Sequence, residues 1–301
     1  MKQSTSHIFM VYPSSFGFNT ETAESNHFQT KEVFSLENRA QAQKEFDNAV
    51  EQLRAKGIDV TVLKDKTGVS KPDAVFPNNW ISIHKEGYIL YPMEAENRRI
   101  ERDPAFIDTL SKKLNIGLIK DLSVYEKQNR YMEGTGSIIF DHIHKKAYAA
   151  ISSRTDAKIV EETCELVNYK PVLFHSKDRE GNIVYHTNVL LAIGTNYAVL
   201  CLDAIPSDEE RTQISEELKN DGIEIIEISM DQMYSFAGNM LELTSSDGQK
   251  YLVMSMTAHN SLTTQQLKKV RQFAEPLVID VSTIEKFGGG SIRCMMAELF
   301  F

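Results

Sequence analysis

Cysteine is scarce in this 301-residue chain: there are three, Cys164, Cys201 and Cys294. An odd, dispersed set suits a reducing compartment better than a disulfide scaffold. Tryptophan occurs once, and the 8 prolines and 15 glycines are scattered, so no low-complexity linker divides the chain. No apolar run approaches the ~18 residues of a membrane helix. The start, MKQSTSHIFMVYP, lacks the apolar stretch of a signal peptide. Basic charge is short as well: 33 Lys and Arg against 42 Asp and Glu give a net −9. No basic stripe is left for neutralising phosphates, which argues against a nucleic-acid partner. These absences point to a cytoplasmic protein with no nucleic acid and no membrane as partner. One or two local arginines still suffice to hold a small anionic group. An apolar content of 42% and a charged content of 25% are ordinary for a globular protein. Length alone allows one large domain or two small ones, and the missing linker favours one domain over 1–301.

What the chain does contain is a repeat. Five similar polar loops each open a strand: PNNWISIH (77–84), EGTGSIIFD (133–141), HTNVLLAIG (186–194), AGNMLELT (237–244) and GGGSIRCMMAEL (288–299). After each loop a strand, a turn, a second strand, an amphipathic helix and a third strand are expected. Helices are expected near 38–56, 98–114, 155–168, 207–220 and 261–273. Ser207 and Asn260-Ser261 serve as start signals, and Gly57 and Gly222 lie just past helix ends. The first unit, from HIFMVYP at 7–13, lacks a hairpin partner, and the leftover strand over 292–300 can supply it. That pairing leaves no open sheet edge. The expectation is an α/β fold: a closed, fivefold pseudo-symmetric ring with helices outside. An ordinary α/β sheet with meander hairpins is the alternative.

In such a ring the equivalent loops share one face, and Asp73, Asn78, Asn79, Glu133, His186, Asn188, Asn239 and Cys294 converge. Cys294 follows three glycines, which permit close approach to a ligand, and sits beside Arg293; an exposed, partly ionised thiol is expected. Cys164 and Cys201 read as buried helix and strand residues. His186 is the one histidine placed to act as acid or base towards Cys294. Glu133 opens a glycine loop from which it can orient an imidazole. His142 and His144 have H-x-H spacing, but the sequence around them supplies no further ligands, so no metal is expected. His27 and His7 lie near the N-terminus. Neither glycine loop leads into G-K-[ST] and a helix, and no G-x-G-x-x-G occurs, so no nucleotide cofactor is expected.

With these motifs in place the chain resembles the pentein (α/β-propeller) superfamily of guanidine- and ureido-modifying enzymes. Amidinotransferases, arginine deiminases and dimethylargininases belong to it. The resemblance spans the chain through Pro72-Asp73-Ala-Val-Phe-Pro-Asn78-Asn79, Asn97-Arg98-Arg99, Glu133-Gly-Thr-Gly, Ser153-Arg154-Thr155 with His186-Thr-Asn188, and Gly288-Gly-Gly to Cys294. The wording of PNNW, EGTGS, YHTNV and GGGSIRCMMAELF is most similar to the citrulline-utilisation hydrolases.

The resemblance implies a ββαβ propeller with Cys294 as nucleophile, His186 as general acid then base, and Glu133 gripping substrate and histidine. It implies that Asp73 binds the substrate's side-chain nitrogens and that Arg98 and Arg154 hold its α-carboxylate. Asn78 and Asn79 stand where dimethylargininases have an acidic pair, and Asn188 where H-x-D is frequent. Amides in place of carboxylates favour a neutral ureido group. Conversion of citrulline to ornithine, carbon dioxide and ammonia is therefore expected, without metal or cofactor. The substrate is a small amino acid, and a homodimer is left open. The alternatives are a deiminase or dihydrolase of an arginine derivative, or a non-catalytic binding factor on the same fold.

Overall fold

The structure, a computed structural model, describes every residue except Met1, Ser25, His27, Lys31, Lys66 and Phe301. His27 thus lies outside the described residues. The first unit supplies β1 (His7–Tyr12) and β2 (Asp59–Lys64). The second supplies β3 (Ile81–His84), β4 (Gly87–Leu90) and β5 (Leu118–Asp121). The third has β6 (Ile139–Asp141), β7 (Lys146–Ile151) and β8 (Lys170–His175). The fourth has β9 (Leu191–Gly194), β10 (Tyr197–Leu200) and β11 (Glu224–Glu227). The fifth has β12 (Leu241–Thr244), β13 (Lys250–Ser255) and β14 (Glu275–Ile279), before β15 (Ala297–Glu298).

These strands form five separate three-stranded sheets. In the last four units the first strand runs antiparallel to the second, and the third runs parallel to the second after a helical crossover. β15 pairs antiparallel with β1 through Ile8–Glu298 and Phe9–Ala297, so the chain's end completes the first sheet. The pairing is shorter than the expected 292–300, because Ile292–Met295 forms a one-turn helix instead. No hydrogen-bonded sheet runs through all five units among the described residues.

Neighbouring sheets touch in sequence. Ile83 bridges to Leu299, and the His84 and Phe140 rings lie 5.4 Å apart. The Gln3 amide donates to the Phe140 and Ile193 carbonyls at 3.0 and 3.2 Å. Thr195 N–H donates to Glu242 at 3.0 Å, and Thr244 N–H to the Thr5 carbonyl at 3.0 Å.

Inner strands such as β3 and β9 are buried at every position, whereas β8 alternates towards its covering helix. That difference follows from having neighbours on both faces or on one. The helix Leu36–Ala55 buries Ala42, Phe46, Ala49, Val50 and Leu53 along one stripe, behind a Ser35–Asn38 capping box. The expected 98–114 helix is broken into Glu96–Arg99 and Pro104–Leu114. Pro104 has no N–H to continue a helix, while Asp103 caps the new one. Ser207 is a true cap. Asn260 and Ser261 instead end the helix Met256–Ser261, and Thr263 starts the next, Thr264–Val270. Among the described residues no helix is long and apolar enough to cross a membrane.

Candidate active site

Four one-turn helices, which hydrophobic periodicity does not reveal, carry the site. They are Pro77–Asn79, Gly134–Ser137, Thr187–Val189 and Ile292–Met295. Each joins a loop to an inner strand or to the chain's last strand, and His186 and Glu133 stand at the start of two of them. The Glu133 turn is pinned by its neighbours. Glu133 N–H donates to Ser137 Oγ at 2.9 Å and Ser137 Oγ to the Arg154 carbonyl at 2.6 Å. Thr187 Oγ1 donates to the Ser137 carbonyl at 2.5 Å. Gly134 has φ of +47°, and a Cβ there would come within 2.2 Å of the Asn78 carbonyl. A Cβ on Gly136 would meet Asn79 Nδ2 at 2.6 Å and His186 Nδ1 at 2.8 Å. Glycine at both positions lets three loops close on one point.

There they form a small cavity lined by Asp73, Asn79, Arg98, Arg154, His186 and Cys294, with Gly288–Gly290, Phe76 and Tyr185. Six of the nine expected site residues are thus brought together. Glu133, Asn78 and Asn188 stand behind the lining. The thiol is not exposed as expected: Cys294 has 6% of its surface accessible, because neighbouring loops cover it.

Glu133 bonds His186 Nε2 at 2.9 Å through Oε2, accepts the Glu94 N–H at 3.0 Å through Oε1, and has Arg154 Nη1 at 3.5 Å. Burial alone would push its carboxyl up. Arg154, the His186 hydrogen bond and Arg98 overcome this and hold it well below the usual carboxylate range. Burial pushes the His186 imidazole down, against the pull of Glu133. A carboxylate only accepts, so the neutral ring carries its proton on Nε2 and leaves Nδ1 as the basic nitrogen.

The sulfur has different company. Asn188 Nδ2 and Asn239 Nδ2 each lie 3.3 Å from Cys294 Sγ. No hydrogen bond joins His186 to Cys294 among the described residues.

Arg98 does not present its fork to the cavity. Its Nε and Nη2 grip Glu101 at 2.9 Å each, and Nη1 donates to Asn79 Oδ1 at 2.8 Å. Burial raises the Glu101 carboxyl to about 7 despite Arg98. Glu101 was missed from sequence, although its i,i+3 spacing from Arg98 is a readable ion-pair signal. Asp73 Oδ2 accepts from Asn19 at 2.7 Å and Thr22 at 3.2 Å, with Arg98 at 3.8 Å. Burial still raises its carboxyl. Arg154 bonds Glu94 at 3.2 Å and lies over the Tyr185 ring at 4.9 Å.

Several of these polar atoms are buried with no hydrogen-bond partner among the described residues: Asp73 Oδ1, both side-chain polar atoms of Asn78, Asn79 Nδ2 and Asn188 Oδ1. A buried polar group left unpaired costs about 1–3 kcal/mol, so these atoms are open to pairing with a polar group in the cavity.

The loop before the first long helix lies over this cavity. Thr22 and Asn26 line it, Asn26 Nδ2 donates to the Gly289 carbonyl at 3.2 Å, and Gln29 Nε2 to the Gly288 carbonyl at 3.1 Å. Sequence periodicity carries no signal for these contacts, since they depend on loop shape.

Elsewhere, Asp141 and Asp221 do approach His144, contrary to the expectation that nothing near the H-x-H supplies ligands; their ligand atoms lie within 4.8 Å. The Lys146 ammonium, 2.5 Å from Asp221, already supplies positive charge there. His142 turns away to bond the Tyr169 hydroxyl at 2.6 Å.

Residues 12–301 match the family described as N,N dimethylarginine dimethylhydrolase, eukaryotic. The chain is a member of that family. It is thereby a pentein-superfamily protein, as its motifs imply. The fold of this dimethylarginine dimethylhydrolase family member is shared with ArgZ, an arginine dihydrolase from the ornithine-ammonia cycle in cyanobacteria. The apo ArgZ structure is 15% identical with a TM-score of 0.77, covering 98% of this chain and 40% of its own. This chain thus spans about 40% of that relative's length. The substrate-bound N-terminal domain of ArgZ matches at 14% identity and a TM-score of 0.76, covering 98% of each chain. A dimethylarginine dimethylaminohydrolase variant, solved as its adduct with S-methyl-L-thiocitrulline, matches at 16% identity and a TM-score of 0.67. It covers 97% of this chain and 99% of its own. No curated protein matches the chain in a sequence comparison.

Proposed function

We propose that the chain is a cysteine hydrolase of the guanidino C–N bonds of arginine or an arginine derivative. The observation that carries this is one cavity lined by both Cys294 and a His186 already bonded to a buried Glu133, in a chain of the dimethylarginine dimethylhydrolase family. The Cys294 thiolate attacks the guanidinium carbon. His186, made an imidazolium by the proton that Nδ1 takes up as the thiol ionises, gives that proton to the departing amine, and the carbon stays bonded to sulfur. His186 Nδ1 then takes a proton from water, whose oxygen attacks that carbon, and the thiolate leaves. Glu133 keeps the ring oriented and stabilises it when charged. Arginine gives citrulline and ammonia; a dimethylated substrate gives citrulline and dimethylamine.

Asp73, with one carboxylate oxygen unpaired in the cavity wall, suits the substrate's nitrogens. Arg154, which lines the cavity while also holding Glu94 and the Thr22 carbonyl, is the arginine assigned to the α-carboxylate; both ends of the Arg98 fork lie on the one Glu101 carboxylate. Arg98 instead orients Asn79.

A second reading, citrulline as the substrate, is favoured by Asn79. Arg98 bonds its oxygen, so the unpartnered Nδ2 is a donor. A donor suits a ureido oxygen better than a guanidinium, which offers only N–H groups. A dihydrolase, which passes through citrulline and adds water again to give ornithine, carbon dioxide and ammonia, reconciles both readings. Steady-state kinetics on arginine, dimethylarginine and citrulline, following ammonia, dimethylamine and ornithine, decides between them. The main reading expects arginine or its methylated form to be processed fastest. A preference for citrulline, weakened by Asn79→Asp, would replace it with the second reading.

The inter-sheet contacts support a closed five-sheet ring, the cysteine usage a cytoplasmic setting, and the missing linker a single domain. Light scattering tests whether the protein dimerises.

A further inference from the structure

The arrangement around the sulfur points to a role for a residue outside the cysteine, histidine and glutamate set. We infer that Asn239, with Asn188 beside it, is the donor that holds Cys294 as a thiolate. This rests on the reading of Cys294 as nucleophile.

Both amide nitrogens sit 3.3 Å from Sγ, a normal length for a donor to sulfur. The orientation of the Asn239 amide is settled by a second bond, since the same Nδ2 donates to the Asn188 carbonyl at 3.1 Å. Its position is set by the backbone: Asn239 N–H bonds the carbonyl of Phe236, a residue in the left-handed region at φ +61°. Asn188, Asn239 and Cys294 are all buried, at 1%, 2% and 6% exposure. A buried anion needs fixed donors. The titratable and charged groups sharing the cavity with the sulfur are Asp73, Arg98, Arg154, Tyr185 and His186, with Glu133 behind the last. None of them hydrogen-bonds it among the described residues, and His186 is turned to Glu133. The amides are thus the sulfur's only donors among the described residues. The protonated thiol can in turn donate to Asn239 Oδ1, but at the longer 3.6 Å. The closer contacts are thus those in which the sulfur accepts.

The test is the thiolate absorbance at 240 nm across pH, taken as the difference from Cys294→Ser, with iodoacetamide labelling of Cys294 read by mass spectrometry alongside. Asn239→Ala should lower the thiolate population at neutral pH about tenfold, the size of one charge-assisted hydrogen bond. Asn239→Asp, nearly isosteric but anionic, should lower it further, and Asn239→Ser should recover part through its hydroxyl. Labelling at high pH should reach the wild-type rate or exceed it, since a more basic thiolate is more nucleophilic. A purely structural role would alter that plateau instead. Superimposable pH profiles for wild type, Asn239→Ala and Asn239→Asp would overturn the inference. Should Asn239→Ala fail to fold, Asn188→Ala and Asn239→Asp carry the same comparison. Turnover retained by Cys294→Ser would sink the covalent reading on its own, because absorbance and labelling require no substrate.

Discussion

On one wall of the cavity the hydrogen bonds to the Cys294 sulfur come, among the described residues, from neutral amides, those of Asn188 and Asn239. On the other, Glu133, His186, Arg154, Arg98, Glu101 and Asp73 form a buried charged network. The amide wall can stabilise a sulfur anion without committing a cation to it. The charged wall holds its ions in place by mutual pairing, so that one carboxylate stays ionised beside a neutral imidazole. On the proposed reading, nucleophile and base are prepared separately, and substrate binding would join them.

The comparison is broken most directly at the sulfur. Cys294→Ser should lower kcat by at least about 10³-fold, and His186→Ala should be nearly as severe, with the double variant little worse than either. Stopped-assay kinetics check this, and near-normal rates in Cys294→Ser would remove the thiol from the mechanism.

On the charged wall, Arg98→Met should cost about 3–5 kcal/mol of stability by leaving Glu101 buried and unpaired. Adding Glu101→Gln should restore much of it in urea melts. A large rise in KM with unchanged stability would instead return Arg98 to the substrate carboxylate.

Glu133→Gln should reduce kcat by about 10²-fold. It also carries a pH signature. The Glu133 carboxyl is depressed in the fold from its ordinary 4.5. Its stabilisation is therefore complete above that value and is lost as pH falls below it. The melting-temperature advantage of wild type over Glu133→Gln should shrink on acidification from about pH 6 to 3. An advantage that stayed constant would mean that Glu133 is not ionised in the fold.

Arg154→Lys should raise KM about tenfold with little change in kcat, as a point charge replaces a planar fork. Substrates without an α-carboxylate should show no such difference. The smallest effect belongs to the remaining thiols. Burial raises Cys164 to about 12 and Cys201 to about 11, so Cys164→Ser and Cys201→Ser should stay within about twofold of wild-type kcat/KM. Strong inactivation by either in a protein of unchanged melting temperature would place a second thiol in the chemistry.

The sequence by itself determined the five units, their strand order, and the family to which Cys294, His186 and Glu133 belong. Hydrophobic alternation and repeated loop wording are local properties, legible residue by residue. The same is true of the pairing between the chain's start and its end, which followed from a strand left without a partner. Tertiary structure alone decided which polar atoms are already satisfied. Arg98 looked like a carboxylate binder until Glu101 was found in its fork, and Asn188 like a substrate contact until its amide was found on the sulfur. The depth of Cys294 was equally hidden, since its cover comes from loops distant in the chain. Apart from the local Arg98–Glu101 pair, hydrogen-bond satisfaction in the site is set by distance and angle between groups tens to hundreds of residues apart. Composition and spacing bring those groups to one place, but only packing decides which of them face each other and which remain for a ligand.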